Sequence, residues 1–292
     1  MISASAPGKI NLYFAVGPKL ANGYHEVCSI YLALNLRDTV TVEKSNEFAI
    51  KVTGTIKGLD GVPTDQSNLV AKATALFTSE PLNITIDKNV PVAGGMGGGS
   101  ADAAAAALAV QTLTSQPAKD LTPLGADVPF AAMGGLALGL GIGEKLTPIS
   151  TPLELHVVLI TNPNGLSTPA VYNKLDELRE AADLIPNDNP LAPTELIEAL
   201  ETGDLETVVR HIHNDLQWAA LELKPELQET IDRALAAGAL TAQVSGSGPT
   251  VFAIAKDAER AKKIAEAFGA SAIATTGPSA GAEMNKQGKR ND

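Results

Sequence analysis

The segment from Pro91 to Val110 places the best helix formers of the chain directly after its worst. Five of the six positions from 94 to 99 are glycine, and most of the following positions up to 109 are alanine. Glycine costs about 1 kcal/mol relative to alanine inside a helix, so this junction predicts a sharp change from loop to helix near residue 100. The first N–H groups of a helix lack partners and carry positive partial charge. A glycine loop at that point therefore suits an anion such as phosphate.

The alternative for this segment is a flexible linker or a turn that needs positive φ. Against that alternative, a predicted strand at 82–87 precedes the loop, and Ser100 is placed either to cap the helix or to bind a ligand. Two common phosphate-binding patterns do not fit. No lysine follows the glycines as in GxxxxGK[ST], and Ser100 stands where GxGxxG has its third glycine. The sequence therefore predicts a phosphate loop of another design.

Composition limits the kind of protein. A chain of 292 residues with 45% hydrophobic residues can form one large or two ordinary globular domains. The net charge of -11 argues against a nucleic-acid partner. Cys28 is the only cysteine, which excludes an intrachain disulfide and favours a reducing compartment. The first residues do not resemble a secretory signal, and the uncharged run at 131–143 is too short to span a membrane. We therefore expect a cytoplasmic protein without a membrane partner.

Hydrophobic patterns predict mixed α and β structure. Alternating or β-branched runs predict strands, and apolar residues at intervals of three or four predict helices. Strands are predicted at 10–16, 27–36, 38–44, 48–54, 82–87, 136–141, 155–160, 241–246, 250–255 and 271–275. Helices are predicted at 67–77, about 100–113, over most of 168–235, and at 257–268.

A turn-like stretch with two prolines at 143–154 predicts a domain boundary. We expect an N-terminal domain over 1–150, a second α+β domain over 151–280, and a frayed polar tail over 281–292.

Two further segments have the composition of ligand loops. Pro7-Gly8-Lys9-Ile10-Asn11 opens a strand, although a lysine there is more often an edge residue. Gly246-Ser247-Gly248-Pro249-Thr250 joins two strands and can form an anion-binding nest or a tight hairpin turn. Either segment alone is weak support for a binding site.

Together and in this order, the three motifs resemble those of the galactokinase, homoserine kinase, mevalonate kinase and phosphomevalonate kinase (GHMP) superfamily. The resemblance implies an α+β, two-domain GHMP kinase fold. It has an N-terminal mixed α/β domain, a C-terminal ferredoxin-like domain and an active site in the cleft between them.

Two local segments narrow the resemblance. NGYHE at 22–26 and LGADVPF at 124–130 resemble the branch of the superfamily that uses a cytidine diphosphate sugar-alcohol. That branch transfers phosphate from ATP to the 2-hydroxyl of 4-(cytidine 5'-diphospho)-2-C-methyl-D-erythritol in the non-mevalonate route to isoprenoid precursors. The stretch between the alanine helix and LGADVPF is shorter than in the family, which bears on how residue 127 is positioned.

The resemblance implies roles for individual residues. Asp127 is expected to be the catalytic base and Lys9 its partner. ATP is expected to bind Pro91, Val92, Ala93, Gly94, Gly95, Met96, Gly97, Gly98, Gly99, Ser100 and Ala101, with Ser100 also touching Mg2+ of the bound Mg-ATP. The acceptor substrate is expected to touch Asn11, Tyr24, His25, Thr168, Tyr172, Gly246 and Ser247.

Two alternatives stay open at this point. The chain could be a kinase for another small alcohol, such as homoserine. It could also be a non-catalytic nucleotide-binding relative, although a pure binder has no need of a base beside a cation. The resemblance is compatible with a monomer or a homodimer.

Overall fold

The computed structural model of the protein describes residues 1–92, 94–162 and 164–285. They form two β-sheets with helices packed against them. Three short 3₁₀ helices lie in the connections, at Leu59–Gly61, Thr122–Leu124 and Gly269–Ser271. Within these described ranges, no helix has the length and apolar character needed to cross a bilayer.

Two long antiparallel strands form the centre of the first sheet. Their pairing runs from Ile2 opposite Val42 to Lys19 opposite His25, with three register shifts, the first between Pro7 and Lys9. Such irregularities bend a strand locally, which lets one strand continue past a proline. The strands of this sheet are β1 (Ile2–Lys19), β2 (His25–Lys44), β3 (Ala49–Gly54), β4 (Leu82–Lys88), β5 (Leu136–Leu140), β6 (Lys145–Ile149), β8 (His213–Asn214) and β12 (Glu283–Met284).

The structure joins two strands that the sequence separates. We predicted a break between 27–36 and 38–44, because Asn35 and Asp38 are typical of turns. Instead, Arg37 and Asp38 continue the ladder opposite Pro7 and Ala6, so β2 runs unbroken. Pairing with β1 outweighs the local preference of single residues.

The alanine-rich helix is the centre of the first domain's core. The helices of this domain are α1 (Leu69–Ala75), α2 (Gly98–Thr114) and α3 (Asp127–Met133). α2 packs against β1, β2, α1 and α3, and its alanines are buried. A helix that is apolar on all sides is typical of such a central position, and alanine lets its neighbours approach closely.

The second sheet is antiparallel throughout, with the strand order β11, β7, β10, β9. Its strands are β7 (Leu155–Ile160), β9 (Thr241–Val244), β10 (Val251–Ala255) and β11 (Ala272–Gly277). The fourth, first, third and second of these strands along the chain lie side by side in that order, which is the ferredoxin-like arrangement. The predicted fold class is therefore confirmed. The helices are α4 (Thr168–Ala181), α5 (Thr194–Thr202), α6 (Leu205–His211), α7 (Leu216–Leu223), α8 (Glu226–Ala236) and α9 (Ala258–Phe268).

The second half of the chain contacts β1 through β8 and through the residue that follows it. β8 pairs in parallel with β1, with Asn214 opposite Phe14. Asp215 then accepts hydrogen bonds from the Val16 amide at 2.8 Å and from Arg179 at 3.0 Å. Helices α4 and α7 are thereby fixed to the strand that carries Lys9.

The frayed tail that we predicted from residue 281 is wrong for its first residues. Glu283 and Met284 pair with Ser5 and Ala4 of β1. Arg37 holds this segment by donating to the carbonyl of Ala280 at 2.7 Å. The edge of β1 offers unpaired backbone groups, which recruit a polar segment as a strand. Residues 286–292 lie outside the described part of the chain.

Candidate active site

Lys9 lies on β1 within the PGKIN motif, and its side chain is almost wholly buried. Lys9 Nζ donates a hydrogen bond to Asn11 Oδ1 at 2.9 Å, and Asn11 Nδ2 donates to Ser29 Oγ at 2.7 Å. The ammonium group therefore has a fixed position, set by residues of the two central strands.

Asp127 is the first residue of α3, and its carboxylate completes an ion pair with this lysine. Asp127 Oδ2 lies 3.5 Å from Lys9 Nζ, and 30% of the Asp127 side chain is exposed. Both residues line a cavity of about 190 Å³. A carboxylate held beside a cation and open to a cavity can accept a proton from a bound hydroxyl group. The sequence pattern thus brings together two residues that lie far apart in the chain.

The glycine loop contacts Lys9 through its main chain. The Lys9 amide donates to the Met96 carbonyl at 3.0 Å. Gly97 has φ 67°, and a Cβ at this position would lie 3.3 Å from Lys9 Cγ. A left-handed backbone and this close approach both require glycine.

The start of α2 differs from the prediction. The helix begins at Gly98, Gly97 is its N-cap residue, and no side chain caps it. Ser100 lies in the first turn, so its predicted role as a cap is wrong. The left-handed backbone of Gly97 makes the turn into the helix, four residues before the first good helix former, Ala101.

The third motif packs directly on the glycine loop. A Cβ at Gly95 would lie 2.8 Å from the Ser245 carbonyl and 2.9 Å from the Gly248 carbonyl. Asn214 donates hydrogen bonds of 2.8 Å to the carbonyls of Val244 and Gly246, which holds the motif in place. All three motifs therefore meet in one cleft between the two sheets.

Three cavities follow one another along this cleft. The first, of about 390 Å³, is lined by every described residue from 91 to 99, but not by Ser100 or Ala101. Ala93 lies outside the described residues. The second, of about 190 Å³, contains Lys9 and Asp127 and shares Gly95 and Gly97 with the first. The third, of about 440 Å³, shares Ile142, Thr168 and Tyr172 with the second.

The walls of the cleft include all seven predicted acceptor residues. Asn11, Thr168, Tyr172, Gly246 and Ser247 line the middle cavity. The third cavity adds Tyr24 and His25 to Thr168 and Tyr172. The predicted acceptor residues thus surround the two cavities that lie beyond the glycine loop.

Aromatic rings form one end of the third cavity. The His25 and Tyr172 rings have centroids 5.0 Å apart, while Tyr24 is 61% exposed. Thr168 Oγ1 lies 2.9 Å from Ser247 Oγ. Burial, followed by the charge of Asp127, raises the pKa of Tyr172, so its hydroxyl stays protonated. The arrangement suits a flat, partly polar group such as a nucleobase.

Tyr31 belongs to the site, although the sequence analysis missed it. Its ring stacks on Phe130 of α3 with centroids 4.9 Å apart, and Lys9 Nζ lies 5.6 Å from the ring centroid. Burial and the charge of Asp127 raise the pKa of Tyr31 well above its ordinary value. A tyrosine within an apolar strand gives no periodic signal, so only the fold places it beside the ion pair.

A buried ion triad beneath the glycine loop was also missed. Lys88 donates hydrogen bonds to Asp38 and, at 2.8 Å, to Asp102. All three side chains are buried, and a Cβ at Gly98 would lie 3.1 Å from Lys88 Nζ. The sequence does contain a signal for this triad, which is the charged Asp102 within the alanine run. A charge in a buried helix is normally paired with an opposite charge.

Comparisons with known proteins agree with this geometry. The chain matches the GHMP kinases N terminal domain over residues 68–135 and the GHMP kinases C terminal domain over residues 196–274. A relative from Paenarthrobacter aurescens, 4-diphosphocytidyl-2-C-methyl-D-erythritol kinase, is 42% identical over 97% of this chain and 95% of its own length.

Solved structures of kinases resemble this chain over nearly its full length. A crystal structure of 4-(cytidine 5'-diphospho)-2C-methyl-D-erythritol kinase covers 94% of this chain and 98% of its own, with 32% identity and a TM-score of 0.76. The homoserine kinase of Cytophaga hutchinsonii covers 97% of both chains with a TM-score of 0.70, but its 22% identity shows the fold alone. The chain belongs to the GHMP kinases, in the family of the 4-diphosphocytidyl-2-C-methyl-D-erythritol kinases.

Proposed function

We propose that this protein transfers the γ-phosphoryl group of ATP to the 2-hydroxyl of 4-(cytidine 5'-diphospho)-2-C-methyl-D-erythritol. The observation that carries the proposal is the Lys9–Asp127 ion pair, which lines the middle one of three cavities that share lining residues. The first cavity has the walls of a phosphate site, and the third has the aromatic walls of a base site. Relatives of this chain are named as kinases of the same substrate.

The transfer needs one bond to form and one to break. The 2-hydroxyl oxygen of the acceptor bonds to the γ-phosphorus, and the bond from that phosphorus to the β–γ bridging oxygen breaks, so ADP leaves. Asp127 accepts the hydroxyl proton. Lys9 positions the Asp127 carboxylate and offsets negative charge on the transferring group. Asn11 fixes Lys9 Nζ at 2.9 Å, and we place it against the acceptor as well.

The glycine loop and the start of α2 hold the triphosphate of ATP in this proposal. Gly95 and Gly97 have positive φ, and glycines let an anion approach the main-chain N–H groups closely.

Magnesium would bind together with ATP. Among the described residues, no group of three or more His, Cys, Asp or Glu side chains is placed to hold a metal ion. Mg2+ needs few protein ligands when phosphate oxygens and water supply most of its coordination, as this ion prefers. Ser100, in the first turn of α2, is the protein ligand that we propose for it. When bound, Mg2+ neutralises charge on the phosphates.

The cytidine end of the acceptor would occupy the third cavity. Tyr24, His25 and Tyr172 supply stacking surfaces and polar edges, which together distinguish one base from another. Thr168, Gly246 and Ser247 line the middle cavity with the ion pair, and we place the diphosphate of the acceptor against them.

We place the enzyme in the non-mevalonate route to isoprenoid precursors, in the cytoplasm, as a monomer or homodimer. Its single cysteine, Cys28, is a free and buried thiol, which suits a reducing compartment. ATP and the cytidine diphosphate sugar-alcohol are its small-molecule partners.

A coupled assay of ADP release tests the proposal. The protein is supplied with ATP, Mg2+ and either 4-(cytidine 5'-diphospho)-2-C-methyl-D-erythritol or homoserine. We expect saturable turnover with the cytidine substrate and only background ADP release with homoserine. Turnover with homoserine alone would contradict the proposal, and so would ATP binding by calorimetry without turnover on either alcohol.

A further inference from the structure

One face of α4 carries two residues that line the third cavity and a third residue that contacts the wall of this cavity through His25. Thr168 and Tyr172 line the third cavity, and they are four residues apart in the helix. Residues at i, i+4 and i+8 lie on one helical face, so Asp176 follows Tyr172 on the same side. Its carboxylate is the hydrogen-bond partner of His25. The sequence predicted Thr168 and Tyr172 as site residues but missed Asp176, one turn further along α4.

The contact between His25 and Asp176 fixes which ring nitrogen carries the proton. His25 Nε2 lies 2.9 Å from Asp176 Oδ1, and Lys19 Nζ lies 3.7 Å from Asp176 Oδ2. An ionised carboxylate only accepts hydrogen bonds, so Nε2 must be the donor. The neutral ring then has its unprotonated nitrogen at Nδ1. Within residues 1–92, 94–162 and 164–285, the protein supplies no hydrogen-bond partner for Nδ1.

This tautomer determines what His25 can recognise. The ring is almost fully buried, and it lines the third cavity beside Tyr172. Nδ1 is therefore the polar ring atom left for a ligand, and it can only accept a hydrogen bond. On the base edge of cytosine, the 4-amino group is the N–H donor, whereas N3 and O2 are acceptors. Uracil has a carbonyl oxygen in place of that amino group.

We propose that Asp176 is a positioning residue that holds His25 as the Nε2–H tautomer and thereby selects cytosine over uracil. The proposal rests on the proposed function, because it assumes that the base of the acceptor lies against His25. A site built to accept a hydrogen bond from a substrate discriminates strongly against an analogue that presents an acceptor instead.

Asp176→Asn tests this role with little change in shape. The asparagine amide can either accept from or donate to Nε2, so both tautomers of His25 become accessible. We expect the ratio of kcat/KM for the cytidine substrate to that for its uridine analogue to fall about tenfold. We expect the change mainly in KM for the cytidine substrate, with kcat within about twofold of wild type, because the ion pair at the reacting hydroxyl is intact.

Glu177→Gln is the matched control, since it removes a carboxylate from the next position of α4, where the side chain is 66% exposed. It should leave the ratio unchanged. An unchanged ratio in Asp176→Asn would overturn the proposal. So would an equal fall in both variants.

The tautomer can be measured without any turnover. In ¹⁵N-labelled protein at pH 8, above the ordinary titration range of histidine, two-bond ¹⁵N–¹H correlations distinguish the two tautomers. The signal of His25 is assigned as the one lost in His25→Gln. We expect Nε2–H in the wild type and in Glu177→Gln, and a mixture in Asp176→Asn. Nδ1–H or a doubly protonated ring in the wild type would overturn the proposal. Loss of all turnover with the expected tautomer intact would instead count against the proposed function.

Discussion

Among single residues, Lys9 and Asp127 matter most for the proposed transfer, and both are held in place by their neighbours. Lys9 is fixed by Asn11 and by the carbonyl of Met96, and the ring of Tyr31 lies against both the lysine and α3. Asp127 is fixed by its place at the start of α3. The pair therefore keeps its geometry before a substrate binds, as electrostatic stabilisation of a transition state requires.

Asp127→Asn should abolish most of the turnover and leave ATP binding intact. Asparagine keeps the shape of the side chain but cannot accept the hydroxyl proton. We expect kcat to fall about a hundredfold or more, with an unchanged Kd for ATP by calorimetry. Asp120→Asn, at an exposed position seven residues earlier, serves as the control and should match the wild type. A kcat for Asp127→Asn close to that of the wild type would rule out this residue as the base.

At the scale of elements, the triad of Lys88, Asp38 and Asp102 joins β4, β2 and α2 under the glycine loop. One cation faces two buried carboxylates. Burial raises the pKa of Asp102 to about 7. The folded protein therefore keeps a proton on Asp102 at pH values where the unfolded chain has lost it, and this contribution to stability disappears as the pH rises through 7.

Asp102→Asn should consequently stabilise the protein more at high pH than at low pH. Its Lys88 still pairs with Asp38, and the unfavourable ionisation is gone. We expect the free energy of unfolding, variant minus wild type, to increase by about 1 kcal/mol or more between pH 5 and pH 8. Urea denaturation at the two pH values measures it. The exposed Asp60→Asn variant should show no such change, and a difference independent of pH for Asp102→Asn would contradict the role of burial.

Some of these elements could be predicted from the sequence alone, and other features could not. The contrast between glycine and alanine predicts α2, and the three motifs predict which segments meet. The sequence could not place the first residue of α2, because Gly97 caps it through its backbone rather than through a side chain. Nor could it find Tyr31, Asn214 or Lys88, because their roles depend on contacts between strands and loops distant in the chain.

At the scale of the whole molecule, the cleft exists because two loops from different sheets touch. Gly95 of the glycine loop lies against the main chain of Ser245 and Gly248. β8 and Asp215 add a second connection, between β1 and the helices of the second domain. The relative position of the ATP site and the acceptor site therefore depends on the packing at Gly95.

Gly95→Ala should disturb this packing. Its φ of 72° is unfavourable for alanine, and the new Cβ would lie under 3 Å from two carbonyl oxygens. We expect a loss of about 1–3 kcal/mol in the free energy of unfolding by urea denaturation. Gly99→Ala is the matched control, because its Cβ would lie 3.8 Å from Leu69 Cδ1, within a helix. It should be neutral or stabilise by up to about 1 kcal/mol. Equal effects of the two substitutions would contradict the proposed packing.

Following the transferred phosphate itself tests directly whether the protein phosphorylates the 2-hydroxyl. The protein is incubated with ATP labelled at the γ-phosphate, Mg2+ and 4-(cytidine 5'-diphospho)-2-C-methyl-D-erythritol, and the products are identified by ³¹P NMR and label counting. We predict one new phosphomonoester on the 2-hydroxyl for each ADP formed, and almost none with Asp127→Asn. Release of the label as inorganic phosphate, or its transfer to a different hydroxyl, would rule out the proposed reaction.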